Sequence, residues 1–168
     1  MPATWSTPKI WSFGSAASSA DMDTYVSDNL SYLSTPPSFS GSQTVFQSVP
    51  NATLDTIEIN NIVNDPYAAW QGTPNWAWKA PVAGLYLMSG LVSFAGGTTG
   101  NMTAFAGLNG SNVKAGPQQG FAGGLSCGFV GLVRCNASDL LSLMVDQASG
   151  AAQNTASETY LDIIWVSF

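Results

Sequence analysis

From residue 41 to the C-terminus the chain is a succession of short apolar runs separated by turn residues, and this feature limits the fold more than any other. QTVFQSV, LDTIEIN, GLYLMSGLVSF, MTAFAGL, FVGLVRC, LLSLMVDQ and TYLDIIWVSF each have the length of a strand. Between them stand Pro50-Asn51, GGTTGN, Asn109-Gly110, NASD and SGAAQNTASE, which are turn and loop chemistries. Many short strands joined by polar turns, with no second convincing helix in the region, predict an all-β fold, a β-sandwich or jelly roll. Within GLYLMSGLVSF, Tyr86, Met88, Gly90, Val92 and Phe94 fall on one face and Leu85, Leu87 and Leu91 on the other, so this strand is expected to be buried on both sides. The last strand, Tyr160 to Phe168, is apolar on both faces apart from Asp162 and Ser167. A strand of that kind belongs between a core and a subunit interface.

The first forty residues differ. Trp5, Ile10, Trp11 and Phe13 sit in a segment broken by Pro2, Pro8 and Gly14, which reads as an extended arm. One short α-helix follows in SSADMDTYVSDNLSYL, with Ser18 as N-cap, Asp21 three residues on and Asp23 in the first turns. Met22, Tyr25, Val26, Leu30 and Leu33 fall on one apolar stripe, and Pro36-Pro37 stops the helix. The expected organisation is therefore an N-terminal arm and helix over 1–40 and a β domain over 41–168, which the resemblances below make an attachment arm and a jelly-roll trimerisation domain.

Composition removes several function classes. Only 8% of the 168 residues are charged, against a usual share of about 25%. A surface so poor in charge is covered by small polar residues or by partners. Lys9, Lys79, Lys114 and Arg134 are too few and too scattered for a nucleic-acid footprint, and no basic amphipathic helix suits a lipid surface. No run of 18 apolar residues occurs, and the start lacks the basic-then-apolar design of a secretion signal. Synthesis in a cytoplasm is expected, which leaves Cys127 and Cys135 as reduced, buried small hydrophobes, with a disulfide between them as the alternative.

Chemistry is sparse. The absence of histidine removes the commonest general base and metal ligand, along with any Ser-His-Asp or Cys-His arrangement. Asp55 and Glu58, three apart on one strand, are expected to face opposite sides and so not to form an acid–base pair. Asp146 and Asp162 interrupt apolar strands, where a hydrogen bond to a neighbouring strand or a place at a subunit axis suits them better than catalysis. A calcium site near Asn64 and Asp65 lacks the spaced Asp-x-Asp loop. Trp70, Trp76 and Trp78 read as core or interface anchors rather than as sugar platforms. The Asn-x-Ser/Thr sequons at Asn29, Asn51, Asn101, Asn109 and Asn136 read as turn and strand residues. No enzyme activity, cofactor or metal is expected.

The strand grammar resembles a known family, the trimeric jelly roll of complement globular heads and tumour-necrosis-factor-like ligands. The matching residues are Trp78, Ala80-Pro81, Ala83-Gly84-Leu85-Tyr86 and Ser89-Gly90 through Phe94. They continue with Ala104, Leu108, Asn109-Gly110, Val130, Leu132 and Ser138-Asp139-Leu140. Val145, Gln147, Ser149-Gly150 and Leu161 to Val166 complete the series. Family members usually have Gly-Asp where this chain has Ser138-Asp139. The resemblance covers about residues 42–168 and implies monomers packed around a threefold axis through an apolar sheet.

A second resemblance lies in Trp11, Gly14, Ala20-Asp21-Met22, Tyr25-Val26, Asp28-Asn29-Leu30 and Leu33, which are similar to the opening of many tailed-bacteriophage structural proteins. Together the two imply a structural protein on the surface of a phage virion: a trimeric capsid decoration or short head fibre, made in the bacterial host cytoplasm. The implied partners are the chain's own copies in a homotrimer and the phage major capsid or tail proteins. A minor tail protein, or a host-surface glycan-binding module acting through loops 96–101, 111–124 and 148–158, is the alternative. Phe121 is the only aromatic in those loops. The expected trimer residues are Tyr160, Leu161, Ile163, Ile164 and Trp165. The expected virion-attachment residues are Trp5, Trp11, Phe13, Met22, Tyr25, Val26 and Leu30.

Overall fold

The structure is a computed structural model, and it describes residues 5–96, 99–122 and 126–168. The chain divides into two compact units, Met1–Pro36 and Pro37–Phe168.

In the first unit a helix runs through α1 (Ser19–Met22), a π-helical stretch (Asp23–Ser27) and α2 (Asp28–Ser34). Ser18 starts it with the expected capping box: its hydroxyl accepts from Asp21 N at 3.1 Å, and the Asp21 carboxylate accepts from Ser18 N at 3.4 Å. Asn29 and Tyr32 are buried, whereas Met22, Val26, Leu30 and Leu33 are exposed. Asn29 clamps the arm to the helix, donating to Ser6 O and accepting from Ser6 N, both at 2.8 Å. Trp5 packs beside Tyr32 with ring centroids 5.9 Å apart.

The second unit is an antiparallel jelly-roll sandwich. Its five-stranded sheet has the order β10 (Ser126–Cys135), β6 (Gly84–Ser93), β13 (Tyr160–Ser167), β1 (Ser38–Ser42), β4 (Asn61–Asn64). The six-stranded sheet has the order β3 (Asp55–Thr56), β11 (Leu140–Ala148), β7 (Thr99–Leu108), β8 (Ser111–Ala115). Within it β5 (Trp78–Lys79) pairs with β11, and β9 (Gln119–Ala122) pairs with β7. A small ribbon joins β2 (Ser48–Val49) to β12 (Gln153–Asn154).

The core lies between the two larger sheets. Strand alternation sends Tyr86, Met88, Val92, Leu161 and Ile163 inward from one sheet and Leu141, Leu143 and Val145 inward from the other. Gly90 lets the layers close, because a Cβ there would lie 2.8 Å from Phe129 and 2.9 Å from Leu143. The Leu85, Leu87 and Leu91 face of β6, expected to be buried, is only half-covered in the protomer. Trp78 is fully buried edge-on to Tyr86, and Trp70 stacks on Phe39 at 4.7 Å. Both are anchors, as read from the sequence. Asp65 ties them together, accepting from Trp70 N at 2.8 Å and from Trp78 Nε1 at 3.1 Å, so this carboxylate is structural.

The turns follow their chemistry. Asn109 and Gly110 both have positive φ, as a two-residue hairpin of the primed type requires. Asp139 closes the neighbouring turn, accepting from Asn109 Nδ2 at 2.9 Å and from Asn136 N at 2.7 Å, and these bonds hold its carboxyl below the usual range. Among the described residues no helix is long and apolar enough to cross a membrane.

Candidate assembly surface

The outward side of the five-stranded sheet carries the arrangement that calls for explanation. Register places Leu132 beside Leu87, Leu87 beside Ile164 and Ile164 beside Ser38. This makes an apolar rung across β10, β6 and β13, with Leu132 45% exposed, Leu87 37% and Ile164 43%. A second rung runs Gly128, Leu91, Tyr160, Ser42, and Gly128, Leu91, Val130 and Tyr160 line a shallow depression of about 330 Å³. Between the two lies a polar rung, with Val130 at its edge followed by Ser89, Asp162 and Ser40. On β1 this face carries Ser38, Ser40 and Ser42. Cross-strand aliphatic rungs of this sort stabilise a sheet when something covers them.

Alternation along β13 separates the five residues expected at a trimer contact. Leu161 and Ile163 are 0% and 2% exposed and point into the sandwich, and Trp165 is also buried, with its ring edge-on to Phe168 at 4.8 Å. Tyr160 and Ile164 lie on the outward side. Sequence reading gave the strand two greasy faces without saying which residues fill the protomer's own core. Their surface neighbours Leu87, Leu91, Val130 and Leu132 come from other strands, and only the strand order reveals them.

Asp162 sits half-buried between Ser89 and Ser40 in the register and makes no hydrogen bond among the described residues. Asp146 lies opposite Thr103, and its buried Oδ1 has no hydrogen-bond partner among the described residues. The two thiols are free and buried; burial pushes Cys127 up to about 12, and burial together with the nearby Asp139 charge pushes Cys135 up to about 11.

In the N-terminal unit the seven expected attachment residues also divide. Trp5 and Tyr25 are partly covered. Lys9 lies 5.8 Å over Tyr25 and 4.9 Å over Trp11, and it pairs with Asp21 at 2.7 Å. Trp11, Phe13, Met22, Val26 and Leu30 are exposed. Of the loops read as a tip, residues 97–98 and 123–124 lie outside the described residues, as does the side chain of Phe121.

One sequence expectation is overturned. Asp55 and Glu58 line the same cavity. The last bond to β11 is Ile57 N to Leu143 O at 2.8 Å, and Ile59 N then bonds back to Ile57 O at 3.1 Å, so the chain turns around Glu58 instead of running on as a regular strand. Trp76 lines that cavity too and is not a core anchor.

Solved structures share this architecture. The chain is similar to murine APRIL at 14% identity, covering 77% of this chain and 98% of that one with a TM-score of 0.57. A second murine APRIL structure, at pH 5.0, gives 13% identity, 77% and 98% coverage and a TM-score of 0.59. The globular domain of a zebrafish complement 1qA protein gives 11% identity, covering 77% of this chain and 97% of that one with a TM-score of 0.57. Comparison with protein-family models and with curated protein sequences finds no match. At these identities the likeness establishes the tumour-necrosis-factor and complement-head jelly-roll fold.

Proposed function

We propose that the chain is a self-assembling structural module: a homotrimer formed through the outward face of the five-stranded sheet and anchored to a larger particle by its N-terminal unit. The observation that carries this reading is the apolar rung Leu132, Leu87, Ile164. Half-exposed aliphatic side chains on three adjacent strands, on a chain with 8% charged residues, favour burial against sister copies. The fold shared with complement-type heads and the resemblance read from the sequence support three as the number of copies. Tyr160 and Ile164 contribute from β13, with Leu87, Leu91, Val130 and Leu132 beside them. Leu161, Ile163 and Trp165 support the face from beneath.

The particle is a tailed-phage virion, a reading that rests on the resemblance of Trp11 through Leu33 to phage structural openings. Attachment then uses the exposed Trp11, Phe13, Met22, Val26 and Leu30, while Trp5 and Tyr25 hold the arm and helix in one shape. Deleting residues 1–35 tests both halves of the proposal. The truncated chain is expected to remain a trimer by light scattering and to lose binding to purified particles. A monomeric product overturns the assembly reading, and retained particle binding overturns the role of the arm.

A further inference from the structure

A second site lies away from the apolar rung, in a cavity of about 690 Å³ lined by Phe46, Gln47, Ser48, Asp55, Glu58 and Trp76 among others. Phe46 is 59% exposed although it is a large aromatic with no role in the core. Trp76 is held in the left-handed region at φ 45, where a residue with a Cβ is strained. Its N–H donates to Gly72 O at 2.7 Å, closing the turn that fixes the indole at the cavity wall. Strain that persists at a cavity wall is of the kind found at ligand sites.

The polar groups are ordered by one amide. Gln47 donates to the Asp55 carboxylate at 3.1 Å and to Thr56 O at 2.9 Å, and it accepts from Glu58 N at 2.9 Å. Asp55 is thereby fixed, while the Glu58 carboxylate makes no hydrogen bond among the described residues and has its acceptors free. Among the described residues no lysine or arginine lines the cavity, so two carboxylates set its sign. Anionic ligands are repelled. A metal ion is not favoured either, since among the described residues no three His, Cys, Asp or Glu side chains gather. Aromatic faces beside carboxylate acceptors suit a ligand with an apolar C–H face and several hydroxyl donors.

We infer that this cavity binds an uncharged oligosaccharide, with Trp76 and Phe46 packing on sugar faces and Glu58 accepting from sugar hydroxyls. None of these residues belongs to the loops read from the sequence as a recognition tip. The inference does not depend on the oligomeric state.

The test is saturation-transfer NMR and isothermal titration of the full chain with chitotriose, maltotriose and, as the anionic control, sialyllactose. At least one neutral trisaccharide is expected to bind, and sialyllactose is expected to bind more weakly. Trp76→Asn, which tolerates the left-handed backbone, is expected to abolish the signal. Glu58→Gln, which keeps the shape and removes the charge, is expected to weaken binding roughly tenfold, the scale of one hydrogen bond to a charged acceptor. Circular dichroism checks that each variant is folded; if Trp76→Asn is not, Phe46→Ala takes its place. Failure of both neutral sugars to bind overturns the inference. So does a preference for sialyllactose, or wild-type affinity in the Glu58→Gln protein.

Discussion

Two residues three positions apart on β13 are predicted to fail in different ways when cut back to alanine. Leu161 is wholly inside the sandwich, so Leu161→Ala removes buried carbons and leaves a cavity, costing about 2–5 kcal/mol of protomer stability. Ile164 is 43% exposed in the protomer and lies on the outward face. Truncation to alanine removes three carbons, worth about 0.8 kcal/mol each when fully buried. The part still exposed in the protomer, and therefore available to a partner, amounts to roughly 1 kcal/mol per copy. Over three copies this is about 3 kcal/mol, or a fall of about two orders of magnitude in the trimer association constant. Sedimentation equilibrium over a concentration series reads that constant, and thermal unfolding under dissociating conditions reads protomer stability. Ile164→Ala should shift the first strongly and the second by about 1 kcal/mol; Leu161→Ala should act chiefly on the second. An unchanged association constant for Ile164→Ala refutes the placement of the interface on this face.

Further outcomes follow from local geometry. Ser138 occupies φ 76, and replacing it with glycine relieves left-handed strain; Ser138→Gly should stabilise by about 0.5–1 kcal/mol, raising Tm by roughly 1–4 °C, and a lower Tm contradicts this. Cys127 and Cys135 should resist iodoacetamide at pH 8 in the folded protein and react once it is unfolded, whereas rapid native alkylation contradicts their burial. The fold holds both thiols neutral while an unfolded thiol ionises near 9, so this stabilisation is complete below pH 9 and is lost as pH rises toward about 11 and 12; a chemical-denaturation series across that range should show the decline.

What the sequence made legible depended on whether local chemistry and tertiary demand agreed. The alternation in Gly84–Ser93, the Asn109-Gly110 hairpin and the Ser18 cap are set by neighbouring residues and could be read directly. β1, Ser38–Ser42, was not read as a strand because its sequence SFSGS has one large apolar residue. It pairs with β13 and β4 on both sides, and Gly41 is where Phe39 and Ile59 close in too tightly for a side chain. QTVFQSV looked like one strand, yet only Ser48–Val49 is laddered; Gln47 O still accepts from Thr155 N at 2.9 Å, and the Gln47 side-chain amide bonds to Thr56 O and Glu58 N. That side-chain bridge borders the cavity, and no spacing rule announces it. The apolar helix stripe was legible as one exposed face, whereas the buried pair Asn29 and Tyr32 was not, because Ser6 and Trp5 of the arm cover them through contacts distant in sequence. The outward rung was half legible, since Ile164 stood out on β13 while Leu87 and Leu132 required the order of the strands.

The central claim is that β10, β6 and β13 present a face that three copies cover together. Analytical ultracentrifugation of the full chain at micromolar concentration measures this directly. A species of three times the 17.5 kDa protomer mass, dissociating when Leu87, Leu132 and Ile164 are jointly replaced by serine, is the predicted result. A folded, soluble species of protomer mass that persists as concentration rises would contradict it.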